Sequence, residues 1–111
     1  MPAQLRTAPT ISDFQAYVTA MKEEREFRND KNHAHLLLSK EVGELAQAMR
    51  MGWKEPDNPS TVVREAVARE LADIFIYVLD LANQYGLSLE EAFRVREAEN
   101  SKRTWSEYHH Y

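Results

Sequence analysis

Backbone punctuation is the feature that most restricts this chain. Its 111 residues contain only three glycines and four prolines; apart from Gly43 these fall at Pro2, in the stretch Thr7 to Thr10, between Gly52 and Pro59, and at Gly86. The long segments between them carry apolar residues at spacings of three and four, the period of a helix that buries one face. Four helices are therefore expected, in an all-α bundle. The first spans about Ser12 to Phe27, with Ser12 and Gln15 as a capping box and Phe14, Tyr17, Val18 and Met21 on one face. The second runs from near Asn32 to near Met51 behind a Leu38, Val42, Leu45, Met49 stripe and is stopped by Gly52. A polar loop leads to a third, from about Ser60 to Tyr85, with the stripe Val67, Leu71, Ile74, Val78, Leu81 and Tyr85, closed by Gly86. Leu87, Ser88 and Glu91 then open a fourth, which reaches about Arg103.

Residues 74 to 79 of the third helix are apolar without a break, so its middle is hydrophobic around the whole circumference. Four helices from so short a chain can hardly surround one of their own. A second copy covering the far face, in a dimer or tetramer, is the expectation. The size, with 43% hydrophobic and 29% charged residues, fits one domain over 1–111, with 1–11 and 106–111 as tails. The absence of cysteine removes disulfides and thiolate metal sites and fits a reducing, cytoplasmic setting. Residues 1 to 10 lack the pattern of a signal peptide, and the run from Ile74 to Leu79 is too short to span a bilayer. A net charge of -4 argues against general nucleic-acid binding, although a free nucleotide neutralised by a metal remains compatible.

The chemistry is concentrated in four acids. Glu41 and Glu44 on the second helix, and Glu70 and Asp73 on the third, form E-x-x-E and E-x-x-D separated by 25 residues. Members of a pair three apart occupy neighbouring turns of one face. At about 100° per residue, each pair lies roughly 60° and 120° to one side of its helix's apolar stripe, and the two helices superpose at an offset of 29. Packing through the stripes would gather four carboxylates at the edge of one seam. Such anions raise each other's pKa unless a cation intervenes. An all-oxygen set without Cys or His suits Mg²⁺, with Mn²⁺ as a substitute, rather than Zn²⁺. The competing reading of acids at this spacing is a solvated face. Neither pair alone would distinguish the two; equivalent placement beside two core stripes favours the metal.

On the fourth helix the stripe begun by Leu89 and Phe93 continues as Arg96, Asn100 and Arg103, so an inward face turns cationic. Either the helix end leaves the core, or Arg96 and Arg103, with Lys102 beside them and Asn100 as a neutral partner, face phosphates.

These segments together resemble the all-α nucleotide pyrophosphohydrolase superfamily, which includes MazG-like proteins, dimeric dUTPases, dCTP pyrophosphatases and phosphoribosyl-ATP pyrophosphohydrolase. The stretches that carry the resemblance are KEVGELAQAM at Lys40 to Met49, RELADIFIYVLDLANQYGLSLEEAF at Arg69 to Phe93, and REAENSKR at Arg96 to Arg103, which is similar to the family's K-x-x-x-N-x-x-R/K helix. It departs at Arg96, where Lys is usual. The resemblance implies a four-helix MazG-like bundle completed by homo-oligomerisation, Mg²⁺ held by Glu41, Glu44, Glu70 and Asp73, and phosphates met by Arg96, Asn100 and Arg103. It implies hydrolysis of a (deoxy)nucleoside triphosphate to monophosphate and pyrophosphate, with Glu41 as the candidate proton acceptor and nucleotide-pool sanitation as the role. Trp53 resembles an aromatic of several relatives that would stack on a base; the alternative is a lid over the core. His33 and Asn32, near the start of the second helix, are weaker base-contact candidates.

Other readings are a di-iron bundle, phosphoribosyl-ATP hydrolysis, and a helical module that binds nucleotides or oligomerises without turnover. The first wants Glu-x-x-His, and no histidine follows Glu41, Glu44, Glu70 or Asp73 by three residues.

Overall fold

The computed structural model describes residues 3–103. Its helices are α1 Ile11–Glu24, α2 Lys31–Arg50, α3 Thr61–Gln84 and α4 Leu89–Asn100. No strand occurs among the described residues, so the all-α expectation holds. No helix among them is long and apolar enough to cross a membrane. The expected tail at 106–111 lies outside the described residues. Of the N-terminal segment, Ala3 packs against the core and its N–H donates to Glu24 Oε2 at 2.6 Å.

Every helix opens on a side-chain oxygen that accepts a backbone N–H three residues on: Thr10 from Asp13, Asp30 from His33, Ser60 from Val63 and Ser88 from Glu91. The capping box of α1 is Thr10 with Asp13, not the expected Ser12 with Gln15. Asp13 Oδ2 accepts from the Thr10 N–H at 2.8 Å, a bond that holds the Asp13 carboxyl below its ordinary pKa. Gln15 is instead buried, where Nε2 donates to Asn83 Oδ1 at 2.9 Å and to the Leu87 carbonyl at 2.8 Å, and Oε1 accepts from the Leu89 N–H at 3.0 Å. Those bonds fasten α1 to the α3–α4 turn. Local spacing made either cap acceptable; the distant partners of Gln15 decided between them.

The helix ends differ in kind. α1 stops at Glu24, short of the expected Phe27, because Glu26 takes a left-handed φ of 58° and the Phe27 N–H closes back on the Lys22 carbonyl at 2.9 Å. No glycine marks this stop. After α3 the same closure uses Gly86 at φ 67°, with the Leu87 N–H donating to the Ala82 carbonyl at 2.8 Å. Gly52 behaves otherwise: its φ is not positive, and a Cβ there would stand 3.2 Å from Val63 Cγ1. Its smallness lets the first turn of α3 close on the end of α2.

Val18, Met21 and Leu79, the last 1% exposed, form the core cluster, with Phe14, Tyr17 and Leu89 packed around it. Phe14 meets Phe75 edge-on at 5.4 Å between centroids. Both α1 and α2 pack on α3, and α4 packs on α1.

Two expected stripes are only partly inward. The residues of α2 that are buried are Ala34, Glu41 and Ala48, seven apart on one line, whereas Val42 and Met49 are exposed. On α3, Leu71 is 51% exposed and Tyr85 is also exposed, while Val63, Leu79, Asp80 and Ala82 are buried. The other members of the two stripes, Leu38 and Leu45 on α2 and Val67, Ile74, Val78 and Leu81 on α3, are half-buried, so each expected face is inward in part. The inward face expected on α4 holds at its start, where the half-buried Leu89 packs on the core, but Phe93 is 67% exposed and no residue of the helix is fully buried, because α4 lies at the edge of the bundle.

Candidate functional site

The α2–α3 seam holds the acidic group. Ala34 and Ala48, both small, are buried one on each side of Glu41 along the same line of α2, and Glu70 adjoins Glu41 from α3. Carboxylate oxygens of Glu41, Glu44 and Glu70 all lie within 4.8 Å of one another. Glu41 is 7% exposed, yet its Oε2 and Oε2 of Glu70 are buried without a hydrogen-bond partner. An orphaned carboxylate oxygen is costly in a fold, which makes two of them together the strongest sign that a ligand belongs there. Lys40 offers partial compensation from the surface, 3.7 Å from Glu44 Oε1 and 4.0 Å from Glu41 Oε1.

The adjoining Glu70 carboxylate first, then burial and the nearness of Glu44 and Asp73, push the Glu41 carboxyl up to about 7. Without a cation the Glu41 carboxyl therefore keeps its proton to about neutral pH. Burial, followed by the charge of Glu41, also raises the Tyr77 phenol. The donor set is all oxygen and anionic once that proton leaves, which fits a hard divalent cation.

Beside this group a cavity of about 570 Å³ opens between α1, α2, α3 and the 25–30 loop. Glu41 and Asp73 line it at one end, Leu37, Ile76 and Tyr77 along its walls. Lys22, Asn29 and Asp80 also line it, joined to one another: Lys22 Nζ donates to Asp80 Oδ1 at 2.6 Å and Asn29 Nδ2 to Asp80 Oδ2 at 3.1 Å. A polar group and apolar walls in one cleft of this size are what a small-molecule site requires.

Of the residues singled out from the sequence, Glu41, Glu44 and Glu70 come together. Asp73 is exposed and outside the 4.8 Å group, but it shares the cavity with Glu41. His33 is exposed and also lines the cavity; Asn32 is exposed on the first turn of α2. Trp53 is exposed, with the Arg50 guanidinium 5.5 Å from its ring centre. Arg96 pairs with Glu99 at 3.3 Å on α4, and Lys102 and Arg103 lie exposed just beyond it, after the half-buried Asn100. Sequence reasoning missed Lys22, Asn29, Tyr77 and Asp80. For Asp80 a signal existed, a lone carboxylate between Leu79 and Leu81 within a strongly apolar helix; Asn29 sits in a loop and carries none.

Four helices with acids from two neighbours converging beside a cleft define a class, the all-helical proteins that gather carboxylates at a small-molecule cavity. Within it, residues 30–103 match the family model of the MazG nucleotide pyrophosphohydrolase domain, and the chain belongs to that family. It is 30% identical over 109 residues to dCTP pyrophosphatase 1 from Bos taurus, an alignment covering 92% of this chain but 63% of that protein's length. Among solved structures it is similar to iMazG from Vibrio DAT 722, at 30% identity and a TM-score of 0.59, over 82% of this chain and 93% of the other.

Proposed function

We propose that this protein hydrolyses a (deoxy)nucleoside triphosphate to the monophosphate and pyrophosphate with Mg²⁺ at the Glu41, Glu44 and Glu70 carboxylates and Asp73 beside them. The observation that carries this is the pair of orphaned buried oxygens on Glu41 and Glu70 at the end of a nucleotide-sized cavity. When bound, the ion supplies Lewis-acid polarisation of the phosphate and a lowered pKa for a water molecule. The residues do the rest. The apolar walls hold the nucleoside so that its phosphates run towards Glu41 and Asp73. Water attacks the α-phosphorus, the bond from that phosphorus to the bridging oxygen breaks, and pyrophosphate departs. Glu41 Oε2 is the proposed acceptor of the water's proton. Arg96, Asn100, Arg103 and Lys102 are the proposed phosphate contacts; the exposed Arg96–Glu99 pair is weak enough to exchange for a phosphate. Pyrophosphate release should appear across a panel of triphosphates, dCTP included, with Mg²⁺ or Mn²⁺ and vanish with chelator. Metal-independent release, or none from any nucleotide by folded protein, would refute the assignment.

A second copy of the chain is the proposed cover for the exposed apolar side chains Val42 and Met49 of α2 and Leu71 and Phe75 of α3. Leu71→Asp is expected to leave the helical content intact and shift the mass measured by light scattering from oligomer to monomer. An unchanged mass would place the interface elsewhere.

A further inference from the structure

Lys40 stands against the carboxylate group from the surface. Its Nζ is 3.7 Å from Glu44 Oε1 and 4.0 Å from Glu41 Oε1, and its side chain is 61% exposed. Contacts this long and this open to water contribute little to stability and exchange easily. The flexible four-carbon stem lets the ammonium change partners without any movement of α2.

The carboxylate group has two sides. Leu37 and Glu41 of α2 and Asp73 of α3 line the cavity, whereas Lys40 and Glu44 do not. A nucleoside that fills the cavity with its α-phosphorus at Glu41 and Asp73 leaves its β- and γ-phosphates beyond that end, towards Glu44 and Lys40. Those phosphates are strongly anionic and arrive beside several carboxylates, where each added cation lowers the repulsion. The cations that line the cavity serve its other end. Lys22 is held by Asp80 at 2.6 Å, seven residues and about 10 Å along α3 from Asp73, and Arg25 and Arg28 belong to the loop that Asn29 ties to the same Asp80. Lys40 is the cation in contact with the carboxylates themselves. It carries the same sign as a divalent ion and leans on the same oxygens, so with the ion present the ammonium is driven outward, to the side on which the departing phosphates lie.

We infer that Lys40 is a binding residue for the leaving pyrophosphate, and that its ammonium exchanges the Glu41 and Glu44 carboxylates for the β- and γ-phosphates when the divalent ion and the nucleotide bind. This rests on the hydrolytic reading of the site, but it concerns which side chain meets the departing group.

The test uses Lys40→Met, which keeps an apolar chain of similar length and removes the charge. Binding of Mn²⁺ alone to nucleotide-free protein, followed by the electron paramagnetic resonance of the free ion, should tighten in K40M by roughly threefold or more, because a competing cation has gone. Inorganic pyrophosphate with Mg²⁺ should bind roughly tenfold more weakly to K40M by calorimetry. The monophosphate of the triphosphate turned over fastest should bind to both proteins alike, and kcat/KM for that triphosphate should fall in K40M by about the same factor as the pyrophosphate affinity. A structural role for Lys40 would weaken all three ligands together and could not move the ion and pyrophosphate in opposite directions. Wild-type protein that releases no pyrophosphate from any triphosphate, yet binds inorganic pyrophosphate more tightly than K40M does, would sink the hydrolase assignment and support the contact. Pyrophosphate affinity that is equal in the two proteins or absent from both, or looser Mn²⁺ binding in K40M, would overturn the inference, and turnover by the wild type would then keep the assignment.

Discussion

Replacing Glu41 by Gln is expected to lower turnover by roughly 10³-fold while making the metal-free protein more stable. The loss follows from removing a proposed metal ligand and the proposed proton acceptor together, where a bound ion would contribute several kcal/mol to the transition state and each 1.36 kcal/mol is tenfold in rate. The gain in stability follows from the surroundings: Glu41 is buried beside Glu70 and Glu44, and its Oε2 has no partner. An amide has nearly the same shape, carries no charge, and can donate to the neighbouring carboxylate. Opposite signs for activity and stability are what a site strained for function produces. Initial rates on the preferred triphosphate and thermal melts in chelator would measure both. A variant that is less stable and fully active would show that these carboxylates are structural.

The second large effect is a pH dependence that Mg²⁺ reverses. The Glu41 carboxyl is raised to about 7 in the fold from an ordinary value of 4.5, first by the adjoining Glu70 carboxylate, then by burial, Glu44 and Asp73. The folded protein therefore holds this proton more tightly than the unfolded chain. Its contribution to stability is complete below about 4.5 and is lost as the pH rises through about 7. In chelator, the melting temperature should fall by roughly 5 °C or more from pH 5.5 to pH 8, and Glu41→Gln should flatten that slope. A divalent ion competes with the same proton. Its affinity should rise across this interval, with a proton released on binding near pH 6.5 that calorimetry in two buffers would detect. Stabilisation by Mg²⁺ should accordingly be large at pH 8 and small at pH 5.5. Equal stabilisation at both would place the ion away from Glu41.

What could be read along the chain was local. Four helices and their approximate limits follow from a 3.6-residue period and from breaks at glycine and proline, and the Ser88 cap of α4 was legible too; the caps of α1 and α2, Thr10 and Asp30, were not. The stop of α1 was not legible, since Glu26 takes its left-handed φ without glycine. The E-x-x-E and E-x-x-D pairs were visible as composition at helical spacing, and three of the four acids do converge.

The sequence by itself determined the helices, their order and the identity of the acids, because propensity, capping and periodicity act within a few residues. Only the tertiary structure decided which face of each helix is inside. Periodicity ranks faces by apolar bulk, whereas the most buried line of α2 is Ala34, Glu41 and Ala48, with Val42, Met49 and, on α3, Leu71 outside. The junction of Lys22, Asn29 and Asp80 also belongs to the fold alone. Its members stand as far as 58 residues apart, and hydrogen bonds over such a separation exist only once α1 and the following loop have closed on α3.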